Sequence, residues 1–389
     1  MKTKILIGLF VFALFAGGVF LAQELRARKW ESRWNDFFAG WEARGEIFDP
    51  AKLAPADPGE NSDFARHPWI RRIADGDEML RQTLDKMEPD GLDGYQEWER
   101  ATDDNGVHRP MSPELARRVL KHAAIFSVEL QAFAEAAQRP GCRLVADGRA
   151  STGEMAWSNW AAQLSPLGNL LGASAHASAA LGDGPALTRD LETLLLAGNL
   201  LRSSNLTLGV VVGSGFESHA FGVIGSIPDL GPWPETERRK WLAALDVRTR
   251  TLPDEFAATN RLERGLFLRQ MDKLEADRSV RLAKGLTGYG PLRRIYIARA
   301  RLAACEMLQD MVLSDGGHLA AVIHPDRITR FQSHLENLRD AKLMKKSKLH
   351  PAEEFGLLPQ FAVLGIQAAL IHLETDRSTA RERISNALR

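Results

Sequence analysis

Cysteine is nearly missing. Cys142 and Cys305 are the two in 389 residues, which excludes a disulfide scaffold. Far apart in the chain, they fit either one bond in an oxidising compartment or two buried thiols, and two thiols is the plainer reading. An excess of charge is missing as well: 50 Lys plus Arg stand against 50 Asp plus Glu. No global field then exists to hold a nucleic acid by counterion release, and nucleic acid is not an expected partner. The ten histidines include no H-E-x-x-H and the cysteines form no C-x-x-C, so no metal site is expected. His318 and His324 lie beside Gly316, Gly317 and Pro325, which suggests a loop. Leu286–Pro291 is rich in glycine but lacks the lysine and spacing of a phosphate cradle, so it reads as a turn and no cofactor is expected. Strand-like alternation is scarce. Only Leu206–Val212, apolar and β-branched, invites a strand, and it reads equally as part of a buried helix.

What remains is ordinary globular material, 44% hydrophobic and 26% charged, which excludes disorder and collagen-like repeats. The length suggests two or three domains, or one extended helical one. The fold class is all-α: an N-terminal transmembrane helix, a proline-rich linker, and an irregular multi-helix body with a tetratricopeptide-like hairpin. By residue number this is an anchor over 1–23, an amphipathic tryptophan-rich helix over 24–48, a linker over 49–63, and a helical body over 64–389 with a subdivision near 230–250.

The anchor rests on Ile5–Ala22, a run without charge behind Lys2 and Lys4. As a helix it spans about 27 Å, close to the hydrocarbon thickness of a bilayer. A cleaved signal peptide is the competing reading, with small Ala16 and Gly18 at the cut. Retention is favoured because Val19-Phe20-Leu21-Ala22 continues the apolar run, and a cut after Ala22 puts bulky Phe20 where a small residue is wanted. Lysines before the run and Arg26, Arg28, Lys29 and Arg33 after it nearly balance. The short cationic tail resembles an uncleaved export signal, so the expectation is a single-pass cell-membrane protein, contacting lipid through residues 5–22, with an extracytoplasmic body.

Next, Trp30, Trp34, Phe37 or Phe38 and Trp41 recur at helical spacing, either against the body as a stalk or at the membrane interface, with Gly45 as the stop. Pro50, Pro55, Pro58 and Gly59 mark the extended linker. Glu88–Pro110 reads as a surface loop. Ser112 caps one helix running to Gln138, with Pro113 in its first turn and Leu115, Val119, Ala123, Phe126, Leu130 and Phe133 on its apolar face. Leu164–Leu201 reads as a helical hairpin turning at Gly182-Asp183-Gly184; no second copy follows at a fixed period. Further helices are expected over Glu235–Leu245, Asp254–Asp277, Leu292–Leu313 and Asp326–Leu343. Phe355–Leu373 lacks formal charge, but Pro359, Gln360, Gln367 and His372 make a core helix a better account than a second span. Lys342, Lys345, Lys346 and Lys348 form a basic patch, read as a solvated face.

Several of these stretches together resemble an uncharacterised family of bacterial, N-terminally anchored α-helical proteins. The resemblance runs through the anchor, Trp41-Glu42-Ala43-Arg44-Gly45-Glu46 and the prolines after it. It resumes in the Leu164–Leu201 hairpin, in Trp233-Pro234-Glu235 leading to Trp241-Leu242-Ala243-Ala244-Leu245, and in Glu263-Arg264-Gly265, and it fades after Met311. It implies the anchor and the helical body but no reaction.

One stretch gathers the residue types of acyl transfer: Gly213-Ser214-Gly215-Phe216-Glu217-Ser218-His219. The nucleophile elbow needs glycines two before and two after the serine, and those of Ser214 are adjacent. Ser214 or Ser218 with Glu217 and His219 is therefore carried as the alternative, a membrane-tethered hydrolase. His176, on the small-residue face of the hairpin, is expected to be a hydrogen-bonded core histidine. The leading expectation is a scaffold or interaction module with an unidentified protein partner.

Overall fold

The computed structural model describes residues 2–101, 109–143, 163–231, 233–246, 252–276, 290–311, 373 and 376–389. Among these the chain is all-α and contains no strand; an isolated bridge joins Asp63 and Gly141. The expected helix over 326–343, the lysine patch, His318, His324 and nearly all of 355–373 lie outside the described residues. The chain divides into two compact units, Met1–Leu53 with Asn260–Leu364, and Ala54–Thr259 with Gly365–Arg389.

The first unit is organised by α1, Lys2–Glu42, one unbroken helix through both the apolar run and the tryptophan stripe. Its stop is a Schellman turn: Gly45 at φ +86° lets the Glu46 N–H reach the Trp41 carbonyl (3.1 Å) and its own N–H reach that of Glu42 (2.9 Å). A short helix α2, Pro50–Leu53, follows inside the segment expected to be an extended linker. The remainder of that linker, in the second unit, is tied down as well, because the Phe64 N–H donates to Gly141 O (2.7 Å) and that of Gly141 to Ser62 O (3.1 Å).

Trp34, Phe37, Phe38 and Trp41 pack on buried Phe48, Leu268 and Cys305. The stripe therefore meets protein. Charge reinforces the seam, with Arg294 clamping both Glu24 and Glu31, Arg33 bonded to Glu306 (2.8 Å), and Arg299 lying 4.8 Å over the Trp30 ring. The partner helices are α12, Leu252–Ala276, whose early residues belong to the second unit, and α13, Pro291–Met311.

The second unit is a helical bundle. Small helices α3 (Pro68–Ala74), α4 (Glu78–Asp85) and α5 (Tyr95–Arg100) precede α6 (Pro113–Ile125) and α7 (Ser127–Ala137). The surface loop expected over 88–110 thus holds α5. The single helix expected over 112–138 is two, breaking at Phe126 (φ −106°, ψ 22°) so that both Phe126 and Phe133 enter the core. Its start is as expected: the Ser112 side chain accepts from the Leu115 N–H (3.3 Å), and Pro113 occupies the first turn.

The hairpin forms too, as α8 (Ser165–Leu181) and α9 (Gly184–Ser203), with Asp183 capping the second arm. Leu206–Val212 is not a strand. Only Leu206 is extended (φ −104°, ψ 138°), and from Thr207 the chain runs as α10, Thr207–Ser226, because every polar backbone group of a buried apolar segment finds its partner inside a helix. Helices α8, α9 and α10 pack on one another, with α11 (Glu235–Leu245) set on α9 through fully buried Trp241. A last helix over 376–388 closes the bundle, Arg383 donating to the α10-end carbonyls of Ile224 (3.1 Å) and Gly225 (2.7 Å) and to Ile227 O (2.5 Å).

Candidate functional site

The three candidates for acyl transfer all sit on α10, and helical geometry separates them. Ser214 is buried, and its hydroxyl has no hydrogen-bond partner among the described residues. Glu217 accepts from Arg202 Nη1 of α9 (2.6 Å), and Arg202, 1% exposed, also donates from Nη2 to Glu255 (3.1 Å). His219 turns another way: its Nε2 meets Asn169 Oδ1 on α8 (3.0 Å), and Asn169 donates to both carboxylate oxygens of Glu88 (3.0 Å each). Two residues along a helix is about 200° of rotation, so Glu217 and His219 face nearly opposite directions. Ser218 is exposed. The fold does not bring the serine, carboxylate and imidazole together.

What the α10 residues do instead is hold helices. Gly198 and Gly213 face each other at the α9–α10 crossing: a Cβ on Gly213 would lie 2.5 Å from Gly198 O and 2.8 Å from Arg202 Cγ, and one on Gly198 would lie 2.8 Å from Gly213 O. With the backbones this near, Arg202 reaches Glu217 without leaving the interior. Ser174 and Asp190 make a second buried link, between α8 and α9 (2.6 Å); burial pushes the Asp190 carboxyl up, opposed by Arg189 and Ser174.

The second unit also contains a cleft of about 540 Å³ at the turn end of the hairpin. Four prolines, Pro110, Pro185, Pro228 and Pro234, stiffen its rim, and Trp233 forms a wall. Trp233 is held by Trp241, ring centroids 5.6 Å apart. His176 faces the cleft but is itself nearly buried, its Nδ1 on Ser226 Oγ (3.1 Å) and its ring edge against Trp98 at 4.9 Å. The Ser226 hydroxyl in turn donates to Val223 O (2.8 Å). His176 is the expected hydrogen-bonded core histidine, with one side turned to the cleft. Asp229 and Glu237 complete the polar wall.

A second cleft, about 790 Å³, lies in the first unit beside Phe48. Several of its charges are paired with one another: Glu46 takes Arg264 (2.6 Å) and Arg261 (2.9 Å), Asp49 takes Arg269 (3.6 Å), and Asp272 takes Arg301. Burial pushes the Glu46 carboxyl up, but the two guanidiniums outweigh it and hold the group below the usual carboxylate range. Among the described residues no group of His, Cys, Asp and Glu is placed to hold a metal ion.

Neither Trp233, Asp229 and Glu237 nor Arg202 was marked by the sequence as a site. The available signal was the density of proline around Trp233. Fold and clefts together define an all-α protein of two units. No protein-family model, no curated protein and no solved structure matches the chain, so the resemblance to anchored bacterial proteins stands only on the stretches quoted for it.

Proposed function

We propose that this protein is a membrane-anchored helical interaction module: residues 5–22 enter the bilayer, and the body, on the extracytoplasmic side, binds another protein. One observation carries the anchor. Along α1 the side chains from residue 27 onward alternate into a packed seam, whereas Leu14, Phe15, Val19, Phe20, Leu21 and Leu25 stand in solvent, with Phe15 71% exposed. Burying a side chain of this size contributes about 1.5–3 kcal/mol, so six together make water the wrong surroundings for this stretch. Thr207–Ser226 is also long and apolar enough to cross a membrane, but it is mostly buried and carries the Glu217–Arg202 pair, as suits a core helix. The interaction role is supported by the preformed cleft at the turn of the hairpin, on which α10 packs.

The test is alkaline extraction and flotation of the full chain against a chain lacking residues 2–22, with protease protection of a C-terminal tag. The full chain is expected to float and its tag to be digested from the extracytoplasmic side. A full-length or front-trimmed chain in the soluble fraction would overturn the reading. No observation favours the hydrolase alternative, and a serine-reactive probe is expected to leave folded protein unlabelled at Ser214 and Ser218.

A further inference from the structure

The cleft at the hairpin turn has a charge character that the proposed interaction role does not by itself specify. Among its described lining residues, those able to carry charge are Asp229, Glu237 and His176, with no lysine or arginine. Asp229 is exposed and, among the described residues, has no ion pair; one carboxylate oxygen accepts from the Gly231 N–H (2.8 Å), which fixes its direction. Glu237 is held by the Thr188 hydroxyl, which in turn accepts from Trp241 Nε1 (2.8 Å). Its cationic neighbour Lys240 is 3.7 Å away and mostly in solvent, an arrangement of little strength. Trp233, its ring centroid 5.6 Å from that of Trp241, lines the same cleft.

Two carboxylates beside an indole suit a planar cation that donates several hydrogen bonds. A guanidinium stacks on an indole and pairs with carboxylates in a way an ammonium does not. We propose that the cleft receives an arginine side chain of the partner protein. This rests on the interaction reading above and names the chemistry of its partner. The rigid proline rim leaves little ordering cost to binding.

The experiment uses the full chain in detergent micelles with ¹⁵N-labelled tryptophan, the Trp233 indole signal being assigned through Trp233→Phe. The probes are the peptide acetyl-Ala-Ala-Arg-Ala-Ala-amide and its citrulline and norleucine analogues. The arginine peptide is expected to shift the Trp233 signal saturably, and both analogues to bind at least tenfold more weakly. Asp229→Asn with Glu237→Gln, which keeps the acceptors and removes the charges, is expected to weaken arginine binding at least tenfold with an unchanged circular dichroism spectrum. Asp229→Asn alone, at an exposed site, gives the same direction should the double variant misfold. Absence of a Trp233 shift, equal binding of norleucine, or unchanged affinity in the charge-neutral variant would each overturn the proposal. Flotation reads the anchor independently, and a crosslinked partner retained by the charge-neutral variant would leave the interaction role standing while removing this site.

Discussion

Replacing Arg202 by leucine would remove the guanidinium that two buried carboxylates share. Arg202 is buried and holds Glu217 at 2.6 Å and Glu255 at 3.1 Å, both themselves nearly buried. Removing one member of a buried ion pair costs about 3–5 kcal/mol because the remaining charge loses its compensation. A deficit of about 3–5 kcal/mol is comparable with the whole stability of many domains. Urea titration of the full chain in micelles, with hydrogen exchange over 184–226, measures it. Arg202→Leu combined with Glu217→Gln and Glu255→Gln should recover most of the loss. A deficit under about 1 kcal/mol at pH 7 would refute the claim that this triad bears on folding.

Two glycines of α10 should respond with opposite sign to alanine. Gly213→Ala forces a methyl against Gly198 O and is expected to destabilise by about 1–3 kcal/mol, whereas Gly215→Ala, with nothing within 4 Å, should stabilise by about 0.5–1 kcal/mol in thermal melts. Glu46→Gln is expected to cost about 3 kcal/mol at pH 7. The folded carboxyl lies below its unfolded value, so its contribution is present above that value and lost as pH falls through the folded one. The variant should therefore lose less stability than the parent on acidification from pH 5 to 3. Burial pushes the Cys305 thiol up to about 12 and the Cys142 thiol well above its ordinary range; alkylation at pH 8 should be negligible in native protein and rapid in urea.

Local chemistry made much of the fold legible. Ser112 and Pro113 announced the start of α6, Gly182 and Asp183 the turn of the hairpin, and Gly45 the end of α1, because each acts within a few residues of itself. The break at Phe126 carries no proline or glycine; it is set by where two phenylalanines must go in the core, which no window of sequence contains. Of the two readings left open over 206–212, strand or buried helix, the helix is the one found; β-branched residues in a buried helix and in a strand give the same run of apolar letters. At the candidate site, closeness in sequence misled. Glu217 and His219 are two residues apart, yet their partners, Arg202 and Asn169, come from different helices, and the cleft walls come from segments scattered between 110 and 237.

The unbroken run of α1 from its bare apolar stretch into the clamped seam has a mechanical consequence. A helix of 41 residues measures about 60 Å, and it stays helical until the turn at Gly45. On the proposed reading, whatever sets the lean of the inserted portion, such as bilayer thickness or a neighbouring span, also sets the attitude of α13, which is fastened to its far half by Arg294 and Trp30. The stalk would behave as a tiller, converting a change in the lipid into a rotation of the helices bolted to it.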